Sequence, residues 1–180
     1  KSRPDLERPD LEIFCNPVRL EADVWFPVIK PALEHAFEAC PSLLHPHSRG
    51  EVTLRSANPA DHPKILFNFL REAEDRRAMR EGIRIVREMY AAGPLGEMID
   101  RELKPGPGVK SDAELDAYLR SSMDLDHHPT STCAMGADAM SVVDPELKVH
   151  GVEALRVVDA SVMPRVNGGH TNAPTVMIAE

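Results

Sequence analysis

Aromatic residues are scarce in this chain of 180 residues, with one Trp, two Tyr and five Phe. A core with so few rings has to be built from Val, Ile, Leu, Met and Ala. Cysteine is equally sparse. Cys15, Cys40 and Cys133 are odd in number and far apart, which excludes a disulfide framework and reads as three small buried hydrophobes in a reducing compartment. Positive charge is in deficit, 21 Lys and Arg against 29 Asp and Glu for a formal net charge of −8, so nucleic acid and anionic membrane surfaces are poor partners. No apolar run approaches the ~18 residues that a membrane-spanning helix needs, and Lys1 to Asp10 lacks the apolar segment of a secretory signal. What remains, 42% apolar and 28% charged residues, is the composition of a soluble globular domain.

The hydrophobic pattern divides the chain into strands, helices and breakers. Leu11 to Cys15 alternates as a strand, and Pro31 to Phe37 is a short helix candidate. After the Ser48-Arg49-Gly50 turn signal, Val52 and Leu54 share one face and Glu51, Thr53 and Arg55 the other, which predicts a half-buried strand. Ile65, Phe67 and Phe69 alternate again beyond the Asn58-Pro59 and His62-Pro63 breakers, and predict a second strand able to pair with the first. From Glu72 to Ala92 the period changes: Met79, Ile83, Val86 and Tyr90 recur at helical spacing while Arg76, Arg80, Arg84 and Arg87 take other faces. Pro105-Gly106-Pro107-Gly108 enforces a loop, and Ser111 with Glu114 has capping-box spacing for a helix through Leu119. Val142-Val143, Leu147 to Val149 and Leu155 to Val158 are short β-type runs broken by Asp144-Pro145 and Gly151. Ala173-Pro174 with the apolar residues behind it opens a helix, because proline suits a first turn whose N–H has no intrahelical partner. That helix has no terminator, and the first residue is not Met, so the expectation is a piece of a larger protein. Together the elements predict an α+β fold, a mostly antiparallel sheet with packed helices.

Eight histidines invite a metal reading, with His127-His128 and Cys133 the tightest cluster. Adjacent histidines on an extended chain point to opposite faces, and no Cys-x-x-Cys or His-x-x-x-His partner completes four ligands, so no metal site is expected. Cys133 has no base placed beside it by the sequence and reads as a structural thiol.

Five ordered stretches carry a more specific signal. They are Pro46-His47-Ser48-Arg49-Gly50 through Asn58-Pro59; His127-His128-Pro129 through Met135-Gly136; Val142-Val143-Asp144-Pro145 through Val152; Leu155 through Asp159-Ala160-Ser161 to Pro164; and His170-Thr171-Asn172-Ala173-Pro174-Thr175 through Glu180. In this order they resemble the C-terminal part of a glucose-methanol-choline (GMC) oxidoreductase, the flavoprotein family of choline dehydrogenase, aryl-alcohol oxidase and glucose oxidase. The look of the chain as a whole is nearest to bacterial choline dehydrogenase-like alcohol dehydrogenases. The Gly-x-Gly-x-x-Gly turn that cradles the FAD pyrophosphate in that family does not occur here.

The resemblance implies FAD as cofactor, a primary alcohol as substrate, an aldehyde as product, and oxygen or a quinone-type carrier as electron acceptor, in a cytoplasmic protein or one peripheral to the inner membrane. It implies residues 1–126 as substrate-domain sheet and helices and 127–180 as the active-site and FAD-contacting segment. His128, before Pro129, takes the place of the catalytic base, and histidine suits that task because its unperturbed pKa of ~6.5 lets it accept a proton near neutrality. His170 takes the place of a second histidine or asparagine that hydrogen-bonds the substrate oxygen. Asp159, Ala160, Thr171 and Asn172 stand where the family contacts FAD. Two departures are informative: Ser131 replaces the glycine usual before Thr132, and choline-oxidising members usually carry asparagine at the position of His170. The alternative is a binding or scaffold module that keeps the fold without the chemistry.

Overall fold

Residues 1–17 and 35–180 are described by the structure, a computed structural model. Strands β1 (Leu11–Asn16) and β2 (Glu38–Leu43) pair antiparallel, with Leu11 opposite Leu43 and Asn16 opposite Glu38. A second antiparallel pair joins β3 (Glu51–Thr53) to β4 (Lys64–Leu66). The helices are α1 (Ala73–Ala91), α2 (Gly93–Met98), α3 (Asp112–Ser122) and α4 (Asn172–Ala179), with a 3-10 turn at Ala160–Val162. This is the α+β architecture expected, its antiparallel pairing divided between two two-stranded sheets. The helix candidate at Pro31 to Phe37 lies largely outside the described residues.

The core sits where α1, α3 and β1 meet. Met79 and Ile83 of α1, Leu115 and Leu119 of α3, and Leu11 and Leu70 form one buried cluster against which Leu43 packs. Burying each such side chain contributes about 1.5–3 kcal/mol. Because side chains alternate across a strand, Leu11 in this core leaves Glu12 and Phe14 on the opposite face of β1. That other face meets His170.

Helix α3 begins as its spacing predicts. Ser111 Oγ accepts the Glu114 N–H, while the Glu114 carboxylate accepts the backbone N–H groups of Ser111 at 2.9 Å and Lys110 at 3.0 Å. Those bonds, with one from the Ser111 hydroxyl, hold the Glu114 carboxyl down at about 2. At the start of α1, Asp75 is only 2% exposed and accepts the N–H groups of His47 at 2.8 Å and Ser48 at 2.7 Å. The Ser48-Arg49-Gly50 motif therefore hangs from the first turn of α1 by one buried carboxylate. Asp75→Ala leaves both donors unpaired and is expected to cost about 3 kcal/mol, from the 1.5–3 kcal/mol typical of a bond to a charged group, measured as a lowered midpoint in chemical denaturation.

Two expectations from pattern are corrected. Strand β3 was expected to be half-buried, yet both of its faces and both of β4's are open: Val52 is 48% and Ile65 58% exposed. Among the described residues no helix or sheet covers them. The strand expected through Phe69 stops at Leu66, because Asn68 and Leu70 take left-handed φ values of 54° and 57° that no ladder accommodates; Phe67 and Phe69 stack on each other instead, ring centroids 4.9 Å apart. Gly50 is demanded by this hairpin, since a Cβ there would run into the carbonyl oxygen of Leu66. In the last third, the short β-type runs make only single bridges, Met135 to Val143, Val143 to Val149 and Lys148 to Arg156. Left-handed residues at Leu147, Gly151 and Ala154 interrupt them before a ladder can grow.

Candidate active site

Two loops and one strand face deliver the site. The first loop carries His128. His127 is left-handed with φ 54° and Ser131 with φ 74°, and the backbone beyond is pinned to the 3-10 turn, Cys133 N–H to the Ser161 carbonyl at 3.0 Å and Met135 N–H to that of Val162 at 2.8 Å. The glycine usual at the Ser131 position is explained by that φ, which an L-residue adopts at a cost of about 1–2 kcal/mol. The second loop carries His170. Gly168, with φ 78°, lies against the imidazole of His45 where a Cβ would collide, and the Asn167 amide donates to the His170 carbonyl at 3.2 Å.

The strand face is that of Glu12 and Phe14. A Glu12 carboxylate oxygen is 3.4 Å from His170 Nε2, and the Phe14 ring meets the His170 ring edge-on at a centroid distance of 5.4 Å. Opposite Glu12 on β2, the Ser42 hydroxyl donates to Asp126 at 3.1 Å. The two predicted catalytic histidines are in direct contact: His128 Nε2 and His170 Nδ1 are 2.9 Å apart with the rings perpendicular. His128 Nδ1 lies 2.9 Å from Thr171 Oγ1. A continuous chain of contacts thus runs Thr171, His128, His170, Glu12, two hydrogen bonds ending on a carboxylate 3.4 Å away.

The chemistry of its members dictates how this chain holds protons. A carboxylate only accepts, so Glu12 favours the His170 tautomer with its proton on Nε2. The link between the rings holds one proton. With both rings neutral that proton sits on His128 Nε2, His128 Nδ1 is a bare acceptor, and the Thr171 hydroxyl donates to it. With one proton more, His128 is protonated at Nδ1 and the Thr171 oxygen accepts. The chain takes up a proton without losing a hydrogen bond.

The residues expected to touch FAD divide in two. Thr171, 7% exposed, is the N-cap of α4 but makes no side-chain cap bond, and Asn172 is exposed at the first helical position with no acidic residue in that turn. An uncapped helix start whose Pro174 lacks an N–H still offers the amides of Asn172 and Ala173 and a partial positive charge, which fits the electron-rich edge of a flavin. Asp159 caps the 3-10 turn, its carboxylate accepting the N–H and hydroxyl of Ser161, with Ala160 as the next residue; that turn packs on α4, which brings both pairs to one side of the molecule. Among the described residues no three His, Cys, Asp or Glu side chains gather as a metal site, and no helix is long and apolar enough to cross a membrane.

Sequence reasoning missed Glu12 and the side-chain role of Thr171. The alternation of β1 was a usable signal for Glu12, since it put a carboxylate and an aromatic ring on the face away from the core. Nothing in the sequence said what that face would meet.

Two histidines in contact thus stand beside an uncapped helix start. The chain belongs to the GMC oxidoreductase family, whose model matches residues 46–179. It is 51% identical over 146 residues to the oxygen-dependent choline dehydrogenase of Paraburkholderia phymatum, covering 81% of this chain and 26% of that protein. It is 50% identical over 181 residues to the same-named protein of Burkholderia cenocepacia, covering all of this chain and 31% of the relative. Pyridoxine 4-oxidase from Mesorbium loti superposes with a TM-score of 0.81 at 32% identity, over 96% of this chain and 33% of that one. Formate oxidase of Aspergillus oryzae superposes with a TM-score of 0.72 at 32% identity, over 85% of this chain and 27% of that one. The chain therefore spans about a third or less of the length of the relatives it matches.

Proposed function

We propose that this chain is the C-terminal part of an FAD-dependent enzyme that oxidises a primary alcohol to an aldehyde, with His128 as general base and His170 as hydrogen-bond partner of the substrate oxygen. The observation that carries the reading is the 2.9 Å contact between two histidines 42 residues apart. When bound, FAD supplies the acceptor for the hydride that leaves the carbinol carbon. The chain's own residues handle the proton. As the O–H bond breaks, its proton passes to His128, and the oxygen's developing charge is met by an N–H of the more exposed His170. All four ring nitrogens of the pair are engaged in the structure, so the alcohol oxygen enters by displacing the inner His128–His170 bond while Thr171 and Glu12 stay on the outer nitrogens. Asn172, with Asp159 and Ala160 across the 3-10 turn, sits on the side where the cofactor would lie.

Choline or a related amino alcohol is the substrate class we favour, and molecular oxygen or a quinone-type carrier the final acceptor. Support comes from the curated relatives and from the small cavity beside His128, whose lining includes the carboxylates of both Glu12 and Asp126. Two carboxylates suit a cationic alcohol and disfavour an anionic one. The test is to mix the full-length flavoprotein anaerobically with choline, benzyl alcohol and glucose in turn and follow the oxidised flavin absorbance. Choline is expected to bleach the flavin at the lowest concentration. Bleaching by the uncharged alcohols alone would overturn the substrate assignment, and bleaching by none of these or other alcohols would overturn the reaction.

A further inference from the structure

Thr171 stands at the start of α4 with helical backbone, φ −85° and ψ −12°, whereas a capping residue is extended, and its side chain makes no bond to the first turn. Its hydroxyl oxygen lies 2.9 Å from His128 Nδ1 instead, in a position only 7% exposed to solvent. A buried hydroxyl on the outer nitrogen of the histidine pair is placed to fix that ring.

We propose that Thr171 is the positioning residue of His128, its hydroxyl serving as donor while the histidine pair is neutral and as acceptor once the pair has taken a proton. The inference rests on the reading of His128 as base. Its physical core is proton counting. The Glu12 carboxylate, 3.4 Å from His170 Nε2, has no proton to give in either state, so that end of the chain cannot reverse. After proton uptake His128 is protonated at Nδ1 whether the extra charge sits on its own ring or on His170, and a partly buried Nδ1–H without an acceptor would oppose the uptake. A hydroxyl both donates and accepts, and rotation about its C–O bond is all the change requires. Valine has the same shape as threonine and neither capacity; serine has both.

The experiment compares Thr171→Val and Thr171→Ser in the full-length flavoenzyme, beside His128→Ala. Valine is expected to slow anaerobic flavin reduction by about 10-fold or more, the range typical of lost orienting partners, with substrate binding changed less than about 3-fold, while serine stays within about 3-fold of the parent. In the His128→Ala background, Thr171→Val should cause no further loss. A second readout is independent of turnover: at mildly acid pH the ring Nδ1–H of His128, hydrogen-bonded to Thr171, gives a slowly exchanging proton resonance that serine keeps and valine abolishes. Valine and serine equally slow would make the role one of packing and overturn the inference. So would a valine variant that reduces its flavin at the parent rate and keeps the resonance while His128→Ala collapses. If His128→Ala itself reduces flavin at the parent rate, the general-base reading fails and the inference with it. Should valine prevent flavin loading, the resonance in the flavin-free protein decides, serine keeping it and valine losing it or not.

Discussion

His128→Ala in the full-length flavoenzyme is expected to slow anaerobic flavin reduction by substrate at least about 10²-fold, because general-base catalysis typically contributes 10²- to 10⁴-fold. Stopped-flow reduction at saturating alcohol measures this directly. The geometry sharpens the expectation. His128 touches both Thr171 and His170, so its removal breaks the proton chain at the centre and leaves no short path between the two ends. His170 alone would face a gap on its Nδ1 side with Glu12 on the other. Substrate dissociation constants should change much less than the rate, since the carboxylates and apolar residues of the cavity remain. A reduction rate within a few fold of the parent would mean that another group takes the proton.

The second large effect is an ordering at His170. If its task is to give a hydrogen bond to the substrate oxygen, the task survives loss of basicity, and His170→Asn should retain substantial activity through its amide N–H. His170→Ala removes the donor and should lose roughly 10²-fold or more, by analogy with deleting one donor from an oxyanion site. Rates that fall equally in both variants, with His128→Ala still active, would exchange the two roles and make His170 the base.

Much of the chain was legible one element at a time. The α1 stripe of Met79 and Ile83 is buried as its spacing requires, the Ser111 and Glu114 box closes as written, and Pro174 stands in the first turn of a helix. These succeed because each depends on residues three or four apart along the chain. The failures share a cause as well. Whether β3 is half-buried depends on what else covers it, and the end of β4 depends on the backbone twist at Asn68, neither of which hydrophobic alternation records. The helix candidate at Pro31 to Phe37 stays an expectation.

At the site the division is sharper. His128, His170, Asp159, Ala160, Thr171 and Asn172 were named from the order of motifs along the chain, because a motif preserves residue types at positions where the chemistry needs them. The sequence by itself determined that two histidines stand in the stretches that resemble the family's active-site motifs and that a helix opens right after the second. Only the tertiary structure decided that the rings touch, that a carboxylate from the far end of the chain meets His170, and that the Thr171 hydroxyl turns from its helix to His128. Hydrogen bonds act over about 3 Å, and nothing in a linear order of residues specifies which distant side chains folding will bring within that reach.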